Sequence, residues 1–136
     1  LGGGGEGGER ERRKGGGERV LFASAAGVAE QRAWLARASL VVVPCLHVRP
    51  PVSVLQAVAA GVPVIASRPI VPPGLASVVP SFTPRRDELR AVLHTVLRLS
   101  DEERTAMAQR AREAAAKTVD WSVLVDGYVR LYEGLR

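Results

Sequence analysis

Aromatic residues and cysteine are scarce in this chain of 136 residues. Aromatics make up 4% of the residues and hydrophobic types together 46%, so the core must consist mostly of Val, Leu and Ala. The single cysteine, Cys45, excludes an internal disulfide and fits a reducing compartment. No apolar run approaches the roughly 18 residues that a membrane span needs. We therefore expect a cytoplasmic protein without a transmembrane segment, and contact with a membrane surface stays open.

Lysine is scarce as well. Only Lys14 and Lys117 are present, so arginine carries almost all of the positive charge behind the net +5. The arginines are spread over several segments and alternate with Glu and Asp, which is typical of a solvated surface and not of a nucleic-acid-binding stripe. His, Cys and Asp nowhere cluster at metal-ligand spacing. The sequence thus predicts no nucleic-acid partner, no metal and no other cofactor.

Glycine blocks interrupted by charged residues fill the N-terminal part of the chain. Such a segment has little apolar surface to bury. We therefore predict that residues 1–19 form a Gly- and charge-rich disordered segment and that residues 20–136 form the folded domain.

A strand–helix–strand unit is predicted next. Leu40-Val41-Val42-Val43 is a continuous, largely β-branched run, typical of a strand buried on both faces of a parallel sheet. Pro51 suits the first turn of the following helix and Gly61 its C-terminal end. Pro63-Val64-Ile65-Ala66 gives the second strand, so the unit is a parallel βαβ crossover.

Further elements flank this unit. Val20–Ala23 and Val78–Val79 are predicted strands, and Ala29–Ser39 is a predicted helix. Three helices are predicted to follow from Thr83-Pro84, from the Ser100–Glu103 capping box, and from Trp121, the last with a broad apolar stripe assigned to core or inter-domain packing. The fold class is α/β: a Rossmann-like, partial doubly wound parallel sheet with C-terminal helices.

Ligands of open α/β sheets bind beyond the carboxyl ends of the strands, against helix N-termini. That rule points to the loop between Pro44 and Pro51. His47 in this loop either contacts a ligand or is simply exposed, and Arg49 either faces a phosphate or is solvated. Ser53 in the first turn either binds phosphate or satisfies helix-start groups. Cys45 is expected to be a small buried apolar residue.

The run from Leu55 to Ser67, preceded by Val41-Val42-Val43-Pro44, resembles the signature of GT-B glycosyltransferases of the family 4 type. There a strand ending in Pro-Ser and a Glu-Gly-Phe-Gly loop precede Leu-Glu-Ala-Met-Ala-x-Gly-x-Pro-Val-Val-Ala. Asp120-Trp121-Ser122 is similar to the Phe-Ser-Trp that opens the family's closing helix. The resemblance implies the C-terminal, nucleotide-sugar-binding half of a GT-B fold. In an intact relative, that half serves metal-independent transfer of a hexose from a UDP- or GDP-sugar.

This chain departs from the family pattern at its donor motif. The family has two glutamates eight positions apart, which bind the donor sugar and the ribose; here they are Val48 and Gln56. Valine offers no side-chain acceptor, and the Gln56 amide accepts without charge. The family's Gly-Phe-Gly is Arg49-Pro50-Pro51, whose prolines remove two backbone donors. The donor-binding residues implied by the resemblance are His47, Val48, Arg49, Pro51, Ser53 and Gln56, with no catalytic residue in this chain.

Several hypotheses follow. In the family, the acceptor-binding domain and an Arg and a Lys that clamp the diphosphate lie upstream of the segment seen here. The chain is therefore expected to be the donor-binding half of a hexosyltransferase, impaired or inactive alone, with a nucleotide-sugar and a missing N-terminal domain as partners. The alternative is a non-catalytic GT-B-derived module for interaction or stabilisation. An unrelated Rossmann-like domain is disfavoured, because there is no Gly-x-Gly-x-x-Gly after a strand and no strand-end Asp.

Overall fold

The computed structural model describes residues 10–13, 19–22, 27–46 and 51–135. They fall into two compact units, residues 1–34 and 35–136. The elements in chain order are β1 Arg10–Arg13, β2 Arg19–Phe22, α1 Val28–Arg37, β3 Val41–Val43, α2 Val52–Ala59, β4 Val64–Ser67, β5 Ser81–Phe82, α3 Arg86–Leu97, α4 Asp101–Thr118 and α5 Trp121–Gly134.

The predicted βαβ crossover is confirmed. β3 pairs parallel with β4, with Val41 opposite Val64, and β4 pairs parallel with β5. The sheet order β3-β4-β5 places β4 at the centre, and all four of its residues are buried. In β3 only Val43 is fully buried, because β3 has a strand on one side only within this three-stranded sheet. The predicted α/β class with a partial Rossmann-like sheet holds.

Local sequence accounts for the bounds of α2. Pro51, predicted within the first turn, is instead the N-cap residue, and the helix begins at Val52. At the other end, Gly61 has φ +71, a left-handed conformation that suits glycine and lets the chain turn towards β4. The buried face of α2, formed by Val54, Ala57 and Val58, joins the core cluster that includes β3 and β4.

The predicted cap is confirmed for α4 and wrong for α3, whose N-cap residue is Arg85 and not Thr83. Ser100 and Glu103 form the expected capping box at the start of α4, in which Met107 and Ala111 are buried. α3 begins at Arg86, two residues after the predicted Thr83-Pro84 start. Its apolar residues are buried only in part: Val96 is buried against Phe82 and Ile65, whereas Leu97 is 59% exposed.

One prediction for the C-terminal half was wrong, and so was one of the two alternatives given for α5. The short strand forms at Ser81–Phe82 and not at Val78–Val79, where turns closed by Val78 N–H and Val79 N–H to the Leu75 carbonyl use the backbone donors. The stripe of α5 is not core: none of that helix's described residues is buried, and Trp121 is 78% exposed. Packing of α5 against another domain remains a prediction.

The first unit contains a two-stranded antiparallel sheet. β1 pairs with β2, with Arg10 opposite Phe22 and Arg13 opposite Arg19. The strand expected at Val20–Ala23 is thus present at Arg19–Phe22, but its partner is a strand from the segment for which composition predicted disorder. Composition indicates how much apolar side-chain surface a segment can bury. The β1–β2 pairing is instead made by backbone hydrogen-bonding groups, which do not depend on side-chain type. Ala23 and residues 1–9 and 14–18 lie outside the described part.

Candidate functional site at the carboxyl edge of the sheet

The three parallel strands end at one edge of the sheet. Because β3 and β4, and β4 and β5, run in the same direction, their carboxyl ends lie side by side. Pro44 follows β3, Arg68 follows β4 and Thr83 follows β5. We call this the strand-end edge. α2 also starts from this side, because a crossover helix runs back antiparallel to its strands.

A buried serine fastens the loop that leaves β3. Ser67, the last residue of β4, is 0% exposed. Its hydroxyl donates to the carbonyl oxygen of Cys45 at short range, and the Val43 carbonyl lies 3.5 Å away. The start of the predicted ligand loop is therefore tied to the central strand. Cys45 itself was predicted wrongly: its side chain is exposed, because its backbone carbonyl and not its sulfur faces Ser67.

The centre of the predicted loop is not among the described residues. His47, Val48 and Arg49 lie outside the described residues. Pro51 is half-buried at the N-cap of α2, and Ser53 is exposed in the first turn. No side chain in the described part of the chain caps this helix, so Ser53 does not perform the helix-capping alternative.

Gln56 lies one turn further along α2 and is half-buried. It is three residues from Ser53, so the two side chains leave the same side of the helix, away from the buried face. The Gln56 amide has no hydrogen-bond partner among the described residues. The structure thus groups Pro51, Ser53 and Gln56 on the accessible first turns of α2.

Sequence reasoning missed the other half of this edge. The backbone N–H of Thr83 donates to Oε2 of Glu88 at 2.8 Å, which closes the turn between β5 and α3. Hydrogen bonds from Thr83 lower the pKa of Glu88, and the positive charges of Arg68 and Arg85 lower it further. The usable signal was positional: Arg68 directly follows the Pro-Val-Ile-Ala-Ser strand.

The sequence model of the family described as glycosyl transferases group 1 matches residues 1–102 of the 136. The chain belongs to this family. No curated protein sequence and no solved structure matches the chain. The matched range contains the βαβ unit and the whole strand-end edge, so the predicted resemblance to a group 1 glycosyltransferase is confirmed for them. The resemblance at Asp120-Trp121-Ser122 lies beyond the matched range and stays a prediction.

In this group 1 glycosyltransferase domain, the described residues also form a depression on another face of α2. It is a groove of about 320 Å³ between α2 and α4. Its lining is mostly aliphatic, with Arg112 and Asp120 as the charged members; the other lining residues are Leu55, Val58, Ala59, Ala115, Ala116 and Val119. It lacks polar groups that converge on a reacting atom, so the strand-end edge remains the candidate site.

Neither metal-ligand groups nor membrane-spanning helices are found in the described ranges. No three His, Cys, Asp or Glu side chains there converge closely enough to hold a metal ion. Likewise, no helix in those ranges combines the length and apolarity of a bilayer span.

Proposed function

We propose that this chain is the donor-binding half of a group 1 hexosyltransferase, taking a UDP- or GDP-sugar without a metal ion. The observation that carries this proposal is the parallel β3–α2–β4 crossover within the family match, with an open helix N-terminus at the strand-end edge. Free backbone N–H groups at such a terminus favour a phosphate. We further propose that donor affinity is weak, because Val48 and Gln56 stand where the family has glutamates.

The position of Gln56 supports a role in binding the nucleotide. Its side chain is only half-buried, belongs to the accessible side of α2 and lacks a partner among the described residues. An amide oxygen there can accept a hydrogen bond from a ribose hydroxyl, although more weakly than a carboxylate. Ser53, on the same side, offers a hydroxyl within the first turn, where phosphate binding is favoured.

The Ser67 hydrogen bond supports a preformed site. Ordering a loop on binding costs affinity, and a loop whose first residues are already fixed loses less freedom. Ser67 holds the carbonyl of Cys45 from a fully buried position. We therefore propose that Ser67 positions the donor loop and does not contact the ligand.

Calorimetric titration of the full chain tests donor binding directly. UDP, GDP and their glucose and mannose conjugates are titrated at millimolar concentration. We expect saturable heat with a Kd near the millimolar range for one nucleotide series, about 4 kcal/mol of binding free energy. Absence of heat from every nucleotide at that concentration would contradict donor binding by this chain.

The alternative is a non-catalytic module for interaction or stabilisation, favoured by Pro50, Pro51 and Val48 in the donor loop. Two substitutions in the full-length protein separate these functions: Val48→Glu and Gln56→Glu together. A decayed donor site should regain affinity or turnover, because both acceptor charges return. Gln31→Glu on α1 adds one negative charge elsewhere and serves as the control for added charge, beside Val48→Glu and Gln56→Glu made singly. If affinity and turnover rise no more than in that control, the non-catalytic module is favoured.

A further inference from the structure

The ends of β4 and β5 carry two arginines that the family motif does not explain. Ser67 is paired with Phe82 in the parallel ladder, so Arg68 and Thr83 leave the sheet from neighbouring positions. Neighbouring strands lie roughly 4.8 Å apart. The N–H of Arg85 donates to the Thr83 carbonyl at 2.5 Å, which turns the chain back at once. Arg85 is therefore held near the end of β5 as the N-cap residue of α3.

Arg68 and Arg85 both act on the carboxylate of Glu88. Both Arg68 and Arg85 contribute to lowering the pKa of Glu88, whose carboxylate accepts the Thr83 N–H. Both arginines are exposed, and neither forms an ion pair within the described residues. Two guanidinium groups and one carboxylate leave this corner of the strand-end edge with one net positive charge.

We propose that Arg68 and Arg85 bind the diphosphate of a nucleoside diphosphate at the ends of β4 and β5, an inference that rests on the function proposed above. Guanidinium groups recognise phosphate oxygens through paired N–H donors. Arg68 directly follows Ser67, which is hydrogen-bonded to the Cys45 carbonyl, so Arg68 adjoins the start of the donor loop. The guanidinium N–H groups thereby provide phosphate donors in place of the backbone N–H groups that Pro50 and Pro51 lack.

The test compares charge-neutralised variants of the full chain. Arg68→Gln and Arg85→Gln are titrated with UDP, GDP, uridine and inorganic pyrophosphate, beside Arg98→Gln at the other end of α3 as the matched control. We expect each of the first two variants to weaken UDP or GDP binding about fivefold or more. Uridine binding and the control variant should be unchanged, because neither involves the diphosphate contact.

The substitution Glu88→Gln should strengthen anion binding, which is the opposite of the effect expected from the arginine substitutions. The amide oxygen of glutamine can still accept the Thr83 N–H, but the competing negative charge is gone. We expect nucleoside diphosphate and pyrophosphate to bind about threefold tighter, and added salt to reduce that gain. Damage to the fold cannot raise affinity, so this variant separates a binding role from a structural one.

The outcomes distinguish this inference from the proposed function. Nucleotide binding that survives both arginine substitutions overturns the inference and leaves the donor function intact. Arginine-dependent binding of pyrophosphate, with UDP and GDP binding no better, supports the anion site and contradicts the nucleotide function. Absence of binding by all four compounds overturns both.

Discussion

Helices α2 and α5 each carry an apolar stripe, but their surroundings differ. α2 buries Val54, Ala57 and Val58 completely or nearly so. α5 carries a longer apolar stripe, with two tyrosines and a tryptophan, yet buries none of its described residues. The comparison therefore shows that an apolar stripe alone does not decide whether a helix is buried within its own domain.

The difference lies in how each helix is connected. α2 is joined at both ends to neighbouring strands, so the crossover forces one face onto the sheet. α5 follows α4 through Val119 and Asp120, and the Asp120 cap fixes where α5 begins but not what it covers. An apolar stripe indicates that a helix has a buried face in its working state, and connectivity decides whether the same domain buries it.

The largest effect is expected from the same substitution made in each helix. Val54→Ala should lower the free energy of unfolding by about 2 kcal/mol, because two methyl groups leave a fully buried position. Val129→Ala should change it by less than about 0.5 kcal/mol, because Val129 is 48% exposed. Urea unfolding of both variants, with equal m-values, provides the measurement.

Equal destabilisation by the two substitutions would overturn the comparison. It would mean that α5 is packed in solution against a second copy or another domain. Repeating the unfolding over a hundredfold range of protein concentration distinguishes these, because only association between chains makes stability depend on concentration.

A second contrast, in sign, is expected between two glycines. A Cβ on Gly74 would lie 2.5–2.9 Å from the side-chain atoms of Thr118 at the end of α4, a distance that requires movement. Gly74→Ala should therefore destabilise the domain by about 1–3 kcal/mol. Gly127 in α5 has nothing within 4 Å of an added Cβ, so Gly127→Ala should stabilise by about 0.5–1 kcal/mol through helix propensity. Thermal unfolding of both variants should show Tm shifts of opposite sign, and shifts of the same sign would contradict this packing.

Much of the fold could be predicted because local signals and topology agreed between Val41 and Ser67. A β-branched run, Gly61 after a helix and a second apolar run permit few arrangements other than a parallel crossover. The candidate site was predictable only in position. Its half made by Arg68, Arg85 and Glu88 was missed because it depends on the strand order β3-β4-β5, which no local pattern records.

Contacts between elements also decided the position of the short strand β5 and the exposure of α5. Two valines at positions 78 and 79 have higher strand propensity than Ser81. The residues that pair with β4 are nevertheless Ser81 and Phe82. The capping residues Ser100 and Asp120 were predictable because a cap needs only its own turn. Helix caps, which depend on a single turn, were thus accessible from sequence, whereas the partner of β4 beyond the crossover and the burial of α5 were not.

The smallest effect is expected from the cap that begins α5. Oδ1 of Asp120 accepts from the Ser122 hydroxyl at 2.6 Å and from the Ser122 N–H at 2.9 Å, which lowers the pKa of Asp120 below its ordinary value of 3.8. A carboxyl whose pKa is lower in the folded state stabilises above its unfolded pKa and loses this contribution as pH falls through the folded value. The helix content of α5 should therefore decline on acidification below about pH 4.

Asp120→Asn isolates this contribution, because asparagine is a comparable N-cap residue that does not titrate. The wild-type chain should lose more helical circular dichroism between pH 5 and pH 2 than the variant does. Asp126→Asn changes the same charge within α5 away from the cap and serves as the control. An equal acid response in both variants would mean that the carboxylate acts on α5 only through overall charge. In that case the start of α5, like the burial of its stripe, would depend on contacts outside this helix.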